Sequence, residues 1–84
     1  MFIDVRSGDE YAFGHAQGAV NMPLDAFSEA DVARLKQNKE VYVICQSGGR
    51  SSTATKALIA SGVNAINVEG GTSAWQAAGL PMER

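Results

Sequence analysis

The sequence predicts an α/β fold built on a small parallel sheet, and three observations carry that prediction. Four short apolar runs, at residues 2–5, 19–22, 41–44 and 65–68, alternate with segments of helical spacing. The third run, Val41-Tyr42-Val43-Ile44, is apolar throughout and rich in β-branched residues, the pattern of a strand buried on both faces. The single cysteine, Cys45, falls where that run ends. In open α/β sheets ligands bind outside the carboxyl ends of the strands.

Taken in order, Phe2 to Val5 is the first strand. Ser7 and Glu10 have capping-box spacing, so one helical turn is expected through Tyr11 to Phe13, stopped by Gly14. His15 to Gly18 reads as loop, and Ala19 to Met22 as a second strand ended by Pro23, which cannot continue a ladder. Ser28 and Asp31 repeat the capping-box spacing, with Phe27 and Val32 as a hydrophobic staple across it. That helix carries Leu35 on the Val32 face and turns out at Asn38-Lys39.

After the central strand and its loop, a helix is expected from about Ser51 to Ser61. Ala54, Ala57 and Leu58 form its buried stripe, and Gly62 its left-handed terminal residue. Ala65 to Val68 is the fourth strand. Gly70-Gly71 leads into a last short helix capped by Thr72 or Ser73, with Ala74, Trp75 and Ala78 facing inward, ended by Gly79-Leu80-Pro81. With no internal repeat, linker or low-complexity stretch, the reading is a single domain over residues 1–84.

Composition narrows the function. A chain of 84 residues has room for one core and little to spare. The net charge of −2 leaves no basic footprint for nucleic acid. No apolar run approaches the roughly 20 residues of a membrane span. The start, Met1-Phe2-Ile3-Asp4, lacks the regions of a signal peptide, so the expected compartment is the cytoplasm, or the periplasm where a leader has been removed. One Cys and one His exclude an internal disulfide and fall short of a structural zinc site, so no metal or cofactor is expected.

The chemistry sits in residues 45 to 53. Cys45 is followed by Gln46 and Ser47, then Gly48-Gly49, Arg50, and Ser51, Ser52 and Thr53 opening a helix. Strand, tight loop and helix start aim several free backbone N–H groups at one point, which makes an anion site. A thiol at that point is driven toward thiolate, with pKa values of about 3.5–7.5 known for such cysteines. A cysteine that merely fills core space needs neither the glycines nor the polar helix start. Glycine lets so short a loop visit positive φ and approach a ligand closely. Arg50 can present a planar fork of donors to a bound oxyanion. Cys45 is thus the candidate nucleophile, and Gln46, Ser47, Gly48, Gly49 and Arg50 the candidate binding loop.

The remaining polar residues read as structural. His15 follows Gly14 at a helix end, and nothing in the sequence places it beside Cys45. Asp4 and Arg6 flank the end of the first strand and pair with each other or with Glu10. Trp75, at helical spacing with Ala74 and Ala78, reads as core.

Three stretches of this sequence together resemble the rhodanese family. They are Asp4-Val5-Arg6 with Glu10-Tyr11, Gly14-His15, Gly18-Ala19, Asn21 and Pro23; the loop Cys45 to Ser51; and Gly70-Gly71 with Trp75. They span nearly the whole chain in the family's order, and the nearest likeness is to small single-domain thiosulfate sulfurtransferases. The resemblance implies a rhodanese-like sheet of about four strands, beginning one strand later than in many members. It also implies ping-pong transfer of sulfane sulfur through a Cys45 persulfide, by a monomer or weak dimer. The implied donor is a small molecule such as thiosulfate, and the acceptor is cyanide, a thiol or a thioredoxin-like protein. The neutral Gln46 and Ser47 depart from thiosulfate-preferring loops, which often carry extra basic residues. Cysteine-dependent phosphatases place five residues between Cys and Arg; here there are four, Gln46 to Gly49. The alternatives to an enzyme are a non-catalytic rhodanese-like binding module and a sulfur carrier for a specific protein partner.

Overall fold

In the computed structural model, which describes residues 1–84, the apolar run 41–44 is an inner strand of the sheet. Strand β1 (Phe2–Asp4) leads into helix α1 (Gly8–Phe13), strand β2 (His15–Ala16) and strand β3 (Val20–Asn21). A 3-10 turn at Leu24–Ala26 precedes helix α2 (Glu29–Leu35) and strand β4 (Val41–Ile44). Helix α3 (Gly49–Ala60), strand β5 (Ala65–Asn67), helix α4 (Gly71–Ala77) and strand β6 (Met82–Glu83) complete the chain. The main sheet runs β3-β1-β4-β5, every pair parallel, with Ile3 opposite Val43 and Val43 opposite Asn67.

Strand alternation divides the apolar residues between two unequal layers. Ile3, Val41 and Val43 pack with Leu35 of α2 and with Ala54 and Leu58 of α3 in the larger cluster, which also holds Val5 and Cys45. Each fully buried aliphatic side chain there contributes about 1.5–3 kcal/mol. Ile44 faces the other way, onto Ala16 and Ala19, with Phe2, Val68 and Trp75 half-buried around it. Both capping boxes form: Ser7 with Glu10 starts α1, and Ser28 with Asp31 starts α2. Gly62, at φ +93°, ends α3 as expected.

Four local expectations are corrected. Helix α3 starts at Gly49, two residues early, and its buried face is Ser51, Ala54, Thr55 and Leu58, with Ala57 exposed. Those four positions follow the i, i+3, i+4, i+7 rule, but the polar Ser51 and Thr55 hide it in the sequence. Helix α4 is capped by Gly70, at φ +77°, and buries only Gly71 and Thr72; Ala74 and Ala78 are exposed. It therefore meets the body of the domain mainly through its first turn, with Trp75 packed beside Ile44. Trp75 is half-buried rather than core, its ring 5.6 Å from that of Phe2. Finally, His15-Ala16 is no loop: it pairs antiparallel with Met82-Glu83, a bridge too short to leave any periodicity in the sequence.

Candidate active site

Cys45 lies one residue past the end of β4, and its backbone is held from across the sheet end. Its carbonyl accepts hydrogen bonds from the Thr72 N–H at 2.8 Å and the Thr72 hydroxyl at 2.9 Å. The Gln46 carbonyl accepts from the Ser73 N–H at 3.0 Å. Such an approach has no room for a side chain at position 71. A Cβ on Gly71 would lie 2.5 Å from Cys45 O and 2.7 Å from Gln46 C, and the residue sits at φ +60°. The Gly-Gly-Thr start of α4 is thus the rear wall of the cysteine loop.

The loop then turns at Gly48, whose φ of +108° falls in the left-handed region that glycine accepts without cost. That turn points the Gly48 N–H at the sulfur, 3.0 Å from Sγ. Gly49 has negative φ and opens α3, so only the first glycine of the pair is required by conformation. Burial alone would raise the Cys45 pKa. Hydrogen bonding from the Ser51 hydroxyl and from the Ser51, Gly48 and Ser47 amides outweighs it, and the thiol is held below its ordinary value. The Ser51 hydroxyl has a single proton to give. In this structure it is placed on Gly48 O and Asn67 Oδ1, so its help to the sulfur requires it to rotate away from both.

Gln46 is fixed at both ends of its amide: Oε1 accepts from Arg6 Nη1 at 3.1 Å and Nε2 donates to Ser73 Oγ at 2.9 Å. Ser47 is exposed at the loop tip. Arg50 turns its fork onto Glu10, with Nη1 2.6 Å from Oε1 and Nη2 2.8 Å from Oε2. Arg50 is the largest influence on Glu10 and, with the Ser7 backbone and hydroxyl bonds, outweighs desolvation to lower its pKa to about 2. The reciprocal effect of Glu10 raises that of Arg50, with a smaller contribution from the Cys45 charge. The oxyanion fork expected of Arg50 is therefore occupied by a carboxylate of the same chain.

Arg6 pairs with Asp4, not with Glu10. Arg6 Nη2 lies 2.8 Å from Asp4 Oδ2, and both side chains are buried. Arg6 also donates to Gly14 O at 2.8 Å, tying the end of β1 to the end of α1. His15 stacks on Tyr11, ring centroids 3.6 Å apart, with Nδ1 2.9 Å from Tyr11 O and Nε2 3.8 Å from Glu83. Its partners are structural, as the sequence suggests.

The sequence reading passed over Arg6, Asn67, Gly71, Thr72 and Ser73 as site residues. The one usable signal was the Gly70-Gly71 pair, since a second glycine at a helix start marks close backbone approach. No cluster of three or more His, Cys, Asp or Glu side chains is arranged to hold a metal ion. No helix is long and apolar enough to cross a membrane.

The chain can be set beside known proteins on this geometry. The family model described as Rhodanese-like domain matches residues 1–78. Thiosulfate sulfurtransferase 16, chloroplastic, of Arabidopsis thaliana is 37% identical, the match covering 98% of this chain and 78% of the relative. Adenylyltransferase and sulfurtransferase uba4 of Ogataea parapolymorpha is 34% identical over 87% of this chain, which spans only 19% of that protein. Among solved structures, a rhodanese-related protein from Thermoplasma volcanium superposes with a TM-score of 0.88 at 34% identity, covering 99% of this chain and 82% of that one. The chain belongs to the rhodanese family, and its fold is the rhodanese-like α/β fold.

Proposed function

We propose that this rhodanese-family domain moves sulfane sulfur from a donor to a thiophilic acceptor through a persulfide on Cys45. The observation that carries the reading is the sulfur itself: Cys45 Sγ, at the end of β4, accepts the Gly48 N–H at 3.0 Å and has a lowered pKa. In the first half-reaction the Cys45 thiolate attacks the outer sulfur of a donor such as thiosulfate. The donor S–S bond breaks, sulfite leaves, and the outer sulfur stays on the protein as Cys45–S–S⁻. In the second, an acceptor attacks that outer sulfur and the Cys45 thiolate returns. Cyanide serves as acceptor in an assay, a thiol or thioredoxin-like protein in the cell.

Negative charge stays inside the loop through both halves. The backbone N–H donors of Ser47, Gly48 and Ser51 are suited to such a charge, since they need no reorganisation as sulfur arrives or leaves. The lowered pKa of Cys45 favours the thiolate, which lessens the need for a general base, in keeping with the structural partners of His15. Four residues between Cys45 and Arg50 make a ring better matched to one sulfur atom than to a tetrahedral phosphate.

With a single cysteine among these 84 residues, no second thiol of this domain can resolve the persulfide, and the sulfur must pass to a thiophile outside it. This favours a carrier role as the second reading, in which a protein donor loads Cys45 and a defined partner unloads it. Steady-state kinetics separate the two: weak thiosulfate turnover beside fast loading by a protein persulfide marks the carrier.

The deciding experiment is intact mass after thiosulfate, with Cys45→Ser as control. The expected result is a species heavier by one sulfur atom, removed by cyanide or dithiothreitol and absent from the variant. An unmodified mass, together with slow alkylation of Cys45 at neutral pH, would leave a binding module.

A further inference from the structure

The charges at the cysteine loop cancel in pairs. Two arginines touch the loop: Arg6 through the Gln46 amide, and Arg50 as its last residue. The charge of Arg6 is met by the buried Asp4 carboxylate, and its Nη2 also donates to Gly14 O. Arg50 is forked by both oxygens of Glu10. What remains for an incoming donor is backbone N–H groups around one negative sulfur, with neither arginine free to offset a second negative charge.

Thiosulfate arrives as a dianion and would meet the thiolate with both charges uncompensated. An organic persulfide, R–S–SH, arrives neutral or with a single charge. Building on the persulfide mechanism above, we propose that Glu10 is a donor-selecting residue: by neutralising Arg50 it biases Cys45 toward persulfide donors of low charge and against thiosulfate. The step balances without any outside redox agent. The Cys45 thiolate bonds to the outer sulfur of R–S–SH, the donor S–S bond breaks, and the leaving thiolate takes the proton of the outer sulfur. The products are Cys45–S–S⁻ and RSH, with one negative charge on each side.

Glu10 acts through Arg50, so its test must compare donors rather than measure one rate. The measurement is single-turnover loading of Cys45, read by intact mass, with thiosulfate and with cysteine persulfide, whose ammonium and carboxylate cancel. Wild type is expected to load faster from the persulfide. Glu10→Gln keeps the acceptor oxygen of the capping box and frees Arg50; it should speed thiosulfate loading by about tenfold while moving persulfide loading by less than about threefold. Arg50→Gln leaves the Glu10 charge exposed beside the loop and should shift the ratio the opposite way. A salt series on wild type needs no variant. Screening a thiolate from a dianion it repels makes thiosulfate loading faster as salt rises, whereas a free Arg50 would make it slower.

Equal effects of Glu10→Gln on the two donors, or slower thiosulfate loading in wild type as salt rises, would overturn the assignment and leave Glu10 a structural partner of Arg50. Loading of wild type by neither donor is a different failure, and removes the sulfur-transfer reading together with this one.

Discussion

Two arginine–carboxylate pairs flank Cys45, built from the same groups at nearly the same distances. Asp4–Arg6 closes at 2.8 Å and Glu10–Arg50 at 2.6 Å. Their surroundings differ. The side chains of Asp4 and Arg6 are 0% and 4% exposed, those of Glu10 and Arg50 37% and 44%. The buried pair is bound on all sides: Asp4 also takes the Arg6 N–H at 2.9 Å, and the Asp4 and Arg6 carbonyls share the Asn21 amide. Neither member can leave without stranding the other in a medium that solvates charge poorly. The exposed pair adds little to stability, because water solvates the charge left behind when either member is replaced. The lesson is that one chemical pair fixes the strand end from which the site is built, while the other is free to tune what the site attracts.

Removing one carboxylate from each pair tests that contrast most severely. Asp4→Ala leaves Arg6 charged and buried, and urea unfolding should register a loss of about 3–5 kcal/mol. Glu10→Gln should cost less than about 1 kcal/mol by the same measurement. Comparable losses would mean that the second pair is as structural as the first.

The sulfur offers a sharper version of the comparison, because its charge is met by fixed dipoles and not by a paired cation. Ser51→Ala removes the hydroxyl that adds to those amide donors once it rotates toward the sulfur. The pH at which Cys45 becomes half-reactive toward iodoacetamide should then rise, on the order of one unit. An unchanged midpoint would assign the stabilisation to the Ser47, Gly48 and Ser51 amides alone.

The smallest effect is in acid. Glu10 has its pKa depressed in the folded chain, so its contribution is present above the unfolded value of 4.5 and lost as pH falls toward about 2. Given its exposure, the whole change should stay below about 1 kcal/mol. Comparing wild type with Glu10→Gln, the stability difference should shrink across that window, followed by denaturant midpoints at several pH values.

Distance along the chain decides which of these features could be read in advance. Asp4 and Arg6 are two residues apart at a strand end, and their pairing was among the options the sequence left open. Glu10 and Arg50 are forty apart, each with a local role of its own in a cap or a loop, and nothing in either segment points to the other. The same holds at the rear of the loop. Cys45, Gly48 and the helix after them form one continuous stretch whose chemistry is local: a strand end, a left-handed turn and free N–H groups. The Gly71, Thr72 and Ser73 contacts reach the loop from 27 or so residues away, through the crossover from β5.

By itself the sequence determined the α/β alternation, the central strand, both capping boxes and the place of Cys45 at a strand end ahead of a glycine turn. Each depends on the order of neighbouring residues, on backbone geometry, and on apolar periodicity over a few positions. Only the tertiary structure decided that α4 docks by its first turn, that His15-Ala16 finds a partner strand near the end of the chain, and that Arg50 is spent on Glu10. Those outcomes turn on which surfaces meet when the crossovers close, and a side chain's partner is then fixed by competition in space that no local pattern records.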